Sequence, residues 1–261
     1  MGDVPRRREP PPFLPVTVAR TERVSPRLIR ITLTGADLDR LVVEQPGSSV
    51  RVLLPSPGDR ELVAPRWNGN EFLLPDGKRP AIRTFTPGLD GPAGELDIKV
   101  VIHGGGLASE WADAAVGGEP AAVSGPGRGY VVDPDAPAFL VAGDETAIPA
   151  VVQLLAALPR EALVQVVVEV ADASAEIDLP TRPGVAIRWV SLAPGKSPGD
   201  ALVAEVRTAG IPPGTRVWAA GEAAAMQRIR RHLFDERGLP RGHTSVRGYW
   251  KHGRPGDAGA D

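Results

Sequence analysis

The sequence predicts a two-domain protein: an N-terminal antiparallel Greek-key β-barrel, then a C-terminal α/β domain built on a parallel sheet. Three observations predict it. Apolar residues alternate with period two through the first half of the chain. From Ala138 onward, continuous apolar runs alternate with amphipathic helical stretches. Between the two regimes, Gly125-Pro126-Gly127-Arg128-Gly129 and Asp133-Pro134-Asp135 form a turn-rich break. The expected division is a disordered tail over 1–12, a barrel over 13–130 and an α/β domain over 131–261.

In the first half, Ile29, Ile31 and Leu33 interleave with Arg30, Thr32 and Thr34, and Leu96, Ile98, Val100 and Ile102 interleave with Asp97, Lys99, Val101 and His103. Such alternation marks half-buried strands. Val16–Arg20, Val50–Leu54 and Ala121–Ser124 are further strands. Pro55–Asp59, Pro75–Lys78 and Gly88–Gly94 read as turns. In the second half, Ala138–Ala142 and Leu163–Val170 read as strands covered on both faces, joined by a helix over Glu145–Leu158. Val185–Val190 and Arg216–Ala220 read as two more strands, and Asp200–Thr208 and Ala223–Phe234 as helices.

Composition narrows the function. The 261 residues contain no cysteine, which excludes disulfides, zinc-thiolate sites, iron–sulfur clusters and thiol catalysis. A net charge of −2 argues against a dedicated nucleic-acid binder. The segment Glu222–Arg254 nevertheless carries +5, which suits a small anionic ligand or a solvated helix face. No apolar run is long enough to span a membrane, and the Arg/Pro-rich opening lacks the apolar stretch of a secretory signal. No Ser/His/Asp arrangement, HExxH or metal-ligand spacing is present.

Four segments carry possible chemistry. Arg83-Thr84-Phe85-Thr86-Pro87 places a guanidinium and an aromatic ring on one side of an extended strand. The first suits a pyrophosphate and the second a flat ring, although an ordinary strand with one buried Phe has the same pattern. His103-Gly104-Gly105-Gly106-Leu107-Ala108-Ser109 ends a strand and opens a helix, so its backbone N–H groups can face a phosphate. Gly143-Asp144-Glu145-Thr146 is a strand-to-helix turn at a carboxyl end, where ligands of open α/β sheets bind. Gly248-Tyr249-Trp250-Lys251-His252-Gly253 sets two aromatics beside cations.

Together, in this order and over Val16 to Gly253, these segments resemble the siderophore-interacting protein family, within the ferredoxin reductase-like group. The resemblance implies an enzyme; the absence of cysteine fits a cytoplasmic protein, expected to be a monomer. It would use FAD and NADH or NADPH to reduce Fe(III) in a ferric siderophore and release Fe(II), with the flavin carrying the chemistry and no catalytic side chain. It implies cofactor contacts from Arg83, Thr84, Phe85, Thr86, Val101, His103, Gly106, Leu107, Ala108 and Ser109. Gly143, Asp144, Glu145, Thr146 and Trp250 would serve the nucleotide side, and Arg51, Arg247 and Lys251 an anionic siderophore. Three positions depart from the family pattern: Phe85 stands for Tyr, Gly88 for Arg and Leu107 for Pro. Two other readings stay open: a flavin reductase with a different acceptor, and a siderophore binder without catalysis. Asp172, Glu176 and Asp178 favour NADH, whereas Arg182 and Arg188 would suit NADPH.

Overall fold

The computed structural model describes residues 10–55, 61–88 and 91–253. Most of the expected tail, much of the turn at Pro55–Asp59, two residues of the turn at Gly88–Gly94, and Arg254 lie outside the described residues. The chain forms two compact units. The first comprises residues 1–22, 29–43 and 49–127, and the second residues 23–28, 44–48 and 128–261.

The first unit contains β1 (Leu14–Ser25, whose last three residues belong to the second unit), β2 (Leu28–Thr34), β3 (Val50–Leu53), β4 (Arg66–Trp67), β5 (Phe72–Leu73), β6 (Ile82–Phe85), β7 (Glu95–Val101), α1 (Leu107–Ala114) and β8 (Pro120–Ser124). Six strands form one sheet in the order β6-β3-β8-β1-β2-β7. Its two edges meet through an antiparallel bridge between Pro87 and Ile98 and a 2.6 Å hydrogen bond from Gly88 N–H to the Asp97 carbonyl. The sheet thereby closes into a barrel, which removes its open edges. Alternation fixes which side chains fill it: Leu96, Ile98 and Val100 are buried while their neighbours along β7 are not. Ile31, Leu33, Val52 and Val123 are fully buried with them. The buried Thr32 hydroxyl donates to the Asp97 carboxylate at 2.5 Å, which satisfies the one buried polar side chain of β2.

Gly88, where the family pattern has Arg, sits at this closure. A Cβ there would lie 2.9 Å from the Asp97 Cβ, so a side chain would push β7 away. The short β4 and β5 hairpin was not legible in the sequence, because two-residue strands leave no periodic signal.

The second unit contains β9 (Ala138–Asp144), α2 (Ile148–Ala157), β10 (Leu163–Val170), β11 (Val185–Ser191), α3 (Asp200–Thr208), β12 (Arg216–Glu222), α4 (Ala223–Arg231) and β13 (Thr244–Trp250). All five strands run parallel in the order β11-β10-β9-β12-β13. Every residue of β9 is buried, as a central strand covered on both faces requires. One face packs on Ile148, Val151 and Leu154 of α2, the other on Leu202, Val206, Met226 and Ile229 of α3 and α4. The helix expected over Glu145–Leu158 begins with a 3-10 turn at Glu145–Ala147. The helix expected to reach Phe234 instead changes to a π-helical turn over His232–Glu236. The strand order reverses between β9 and β12, which leaves a crevice outside their carboxyl ends.

Candidate functional site

On the barrel unit, β3 and β6 are antiparallel, with Val52 opposite Arg83 and Val50 opposite Phe85. Directly opposed residues share a face, so Arg83 and Phe85 lie on the side of the buried Val50 and Val52. Phe85 is partly buried against the barrel core, while Thr84 is exposed and Thr86 is buried. The Arg83 guanidinium donates to the Ile82 carbonyl at 2.8 Å and is half-buried, which lowers its pKa from the usual arginine value. Among the described residues no carboxylate pairs with it, so there this partly desolvated cation has no counter-charge.

Arg51 faces the other way, opposite Thr84. It donates to the Ser124 Oγ at 2.9 Å and lies 5.9 and 5.5 Å from the ring centroids of Phe13 and Phe72. Phe72 also packs edge-on against Trp67 and Phe13. Burial lowers the Arg51 pKa as well. This aromatic surround was not foreseen, because the three rings come from distant, non-periodic segments.

The glycine loop after β7 behaves as its composition suggests. Gly104 and Gly106 take positive φ angles of 35° and 91°, and no neighbour lies within 4 Å of a Cβ built on Gly104. The Ser109 hydroxyl accepts from His103 N–H at 3.1 Å and ties the loop to the helix it precedes. Gly106 caps α1 and, having no side chain, leaves the first-turn N–H groups without a side-chain cap of its own. Leu107 and Ala108, by contrast, pack toward the barrel core. His103 is exposed, and Val101 is a half-buried residue ending β7.

On the α/β unit, the carboxyl ends of the strands carry a row of buried acids. Asp144 Oδ1 accepts from Thr146 N–H (2.9 Å) and Oγ1 (2.5 Å), and Oδ2 accepts from Glu222 N–H (2.9 Å) and Trp250 Nε1 (2.7 Å). One carboxylate thus joins the ends of β9, β12 and β13. Burial pushes its pKa up to about 6, against four donors that favour the charged form. Gly143 and Gly221 allow this close approach: a Cβ on Gly143 would meet Ala147 Cβ at 2.5 Å, and one on Gly221 would meet Asp144 Oδ2 at 2.5 Å.

Glu145 is also buried, but it is used internally. It pairs with Arg27 Nε at 2.9 Å and accepts from Ala171 N–H at 2.6 Å. Glu222 accepts from Ala225 N–H at 2.8 Å and caps α4. Glu169, at the end of β10, accepts from Gly199 and Leu202 N–H at 2.6 and 2.9 Å and caps α3. Arg247 donates to the carbonyls of Arg128 and Gly129 at 2.7 and 2.8 Å, so it holds the linker segment. Lys251 is exposed. The structure therefore brings Asp144, Thr146 and Trp250 together, and with them Glu222 at the end of β12. Arg27 and Glu169 were missed: an arginine 118 residues from its partner leaves no local signal.

Residues 17–130 match the siderophore-interacting FAD-binding domain, and residues 136–253 match the siderophore-interacting protein domain. The chain belongs to the siderophore-interacting protein family. The chain is 32% identical to the NADPH-dependent ferric-chelate reductase of Escherichia coli, over 91% of this chain and 92% of that one. It is 30% identical to the ferric vibriobactin reductase ViuB of Vibrio cholerae, over 92% and 89%. A siderophore utilization protein from T. fusca superimposes with a TM-score of 0.83 at 34% identity, over 95% and 96% of the two chains. The fold is ferredoxin reductase-like. Among the described residues, no helix is long and apolar enough to cross a membrane.

Proposed function

We propose that this member of the family is a reductase. It passes electrons from a reduced nicotinamide nucleotide, through FAD, to Fe(III) in a ferric siderophore, so that Fe(II) is released in the cytoplasm. The observation that carries the reading is Arg83: a half-buried guanidinium without a carboxylate partner among the described residues, in a unit whose sequence matches an FAD-binding domain. Its planar fork suits a pyrophosphate. The uncapped N-terminus of α1 and the open backbone at Gly104 to Gly106 fit the same dianion, with Ser109 holding the loop in shape. Thr84, Thr86, Val101 and His103 would complete the surround, and Phe85 would offer its partly exposed ring to the flavin.

Bound FAD would supply the redox chemistry, taking a hydride from the nicotinamide and returning electrons singly to iron. The protein's work is then placement and field. On the α/β unit, Gly143 keeps the turn after β9 narrow, and Asp144 fixes Thr146 and Trp250 where a nucleotide would meet them. Arg51, Arg247 and Lys251 would supply positive charge to an anionic siderophore.

The test is a visible spectrum of the purified protein after incubation with FAD, followed anaerobically by NADH or NADPH and then a ferric siderophore. Flavin bands should bleach with the nucleotide and return with the siderophore. If no flavin binds at any workable concentration, the reductase reading is wrong.

A further inference from the structure

Residues 23–28, the turn between β1 and β2 with its flanks, belong to the α/β unit. Local contacts order this turn. Arg23 donates to the Pro26 carbonyl at 3.1 Å, the Ser25 Oγ accepts from Arg27 N–H at 3.3 Å, and Leu28 is buried. Arg27 is thereby presented from a fixed backbone.

Arg27 meets Glu145, the first residue of the turn after β9. Its Nε–H is shared between both carboxylate oxygens, at 3.0 and 2.9 Å. Glu145 Oε1 also accepts from Ala171 N–H at 2.6 Å, directly after the last residue of β10. The Glu145 side chain thus ties the β1–β2 turn to the ends of β9 and β10. It is buried, and a buried carboxylate without a cation is costly.

The charge balance of the β9 turn depends on this pair. Gly143-Asp144-Glu145-Thr146 holds two buried carboxylates in successive residues. Asp144 is met only by uncharged donors, from Thr146, Glu222 and Trp250. Arg27 pairs with Glu145, and among the described residues no other ion pair involves either acid. A dinucleotide brings a pyrophosphate dianion, which two unbalanced carboxylates would repel.

On the reductase reading above, we propose that Arg27 is a positioning residue for the nicotinamide nucleotide. Acting through Glu145, it holds the β9 turn in shape and balances its charge, so that the pyrophosphate can approach. Calorimetric titration of the full chain with NAD⁺ and NADP⁺ tests this without turnover. Arg27→Met unbalances the turn and should weaken the tighter-binding nucleotide about tenfold. Glu145→Gln keeps an oxygen for Ala171 N–H and Arg27 Nε but removes a negative charge, so the same nucleotide should bind about two- to threefold more tightly. In the FAD-loaded protein KM should move in the same directions, with kcat held within about twofold. A pair that serves the fold alone would not tighten binding in Glu145→Gln. Unchanged affinity in Arg27→Met, unchanged or weaker affinity in Glu145→Gln, or no nucleotide binding by the unmodified chain would overturn the proposal. Where Arg27→Met does not fold, Glu145→Gln decides alone. If neither NADH nor NADPH bleaches the flavin while the titrations move as expected, the reductase reading fails and the role of Arg27 in nucleotide binding stands.

Discussion

Asp144 concentrates four hydrogen bonds from three sequence-distant segments on one buried side chain. Removing it strands buried donors, each at a cost near 1–3 kcal/mol, some of which solvent and rotation would recover. Asp144→Ala should therefore lose about 2–4 kcal/mol in urea unfolding at pH 7. The same group sets a pH dependence. Its pKa is raised in the folded state, from 3.8 to about 6, so its contribution to stability is full below the unfolded value and lost as pH rises through 6. The span amounts to roughly 3 kcal/mol. Protonation also replaces one acceptor with a donor beside Trp250 Nε1 or Glu222 N–H. Tryptophan fluorescence should accordingly titrate with a midpoint near pH 6, and the step should vanish in Trp250→Phe. A flat profile in the unmodified protein would mean that the four donors outweigh burial.

Two helices of the α/β unit, α3 and α4, are held at their N-termini by strand-borne acids, and α3 shows the effect most cleanly. Its capping residue is Gly199, which offers no side chain, so Glu169 from β10 satisfies the Gly199 and Leu202 N–H groups instead. Glu169→Ala should cost about 1–3 kcal/mol, measured by chemical denaturation, with hydrogen exchange accelerated first in the opening turn of α3. Most elements were legible because their burial pattern is periodic: β7 alternates, β9 is continuously apolar, and α3 carries Leu202, Val203 and Val206 on one face. The strand β13 was not. Thr244–Trp250 mixes Arg247 and Gly248 with two aromatics, and only Val246 is buried, so its place beside β12 comes from backbone pairing. The same division applies to the site. The turns at Gly143 and Gly104 are local and could be read, whereas the Arg27–Glu145 pair and the Glu169 cap depend on chain segments brought together by folding.

At the scale of the whole molecule, the proposed function assigns one ligand to each unit. The α1 loop, whose capping residue is a glycine, and the half-buried Arg83 lie in the barrel unit, and the acidic strand ends lie in the α/β unit. Charge along the chain is likewise uneven: Glu222–Arg254 carries +5, so the rest carries −7. Binding that favours only the folded state stabilises by RT ln(1 + [L]/Kd), about 2.7 kcal/mol at a hundredfold excess over Kd. FAD at that excess should slow hydrogen exchange most at residues 82–86 and 103–109, where the arginine and the glycine loop would contact it. The nicotinamide nucleotide should slow it most at residues 143–146. The two patterns should add when both ligands are present, because each ligand first orders its own loops. Protection by FAD confined to the α/β unit would refute the assignment of Arg83 and the Gly104 loop to the flavin phosphates. Protection by both ligands in the expected places would locate the donor and acceptor ends of the electron path on one chain.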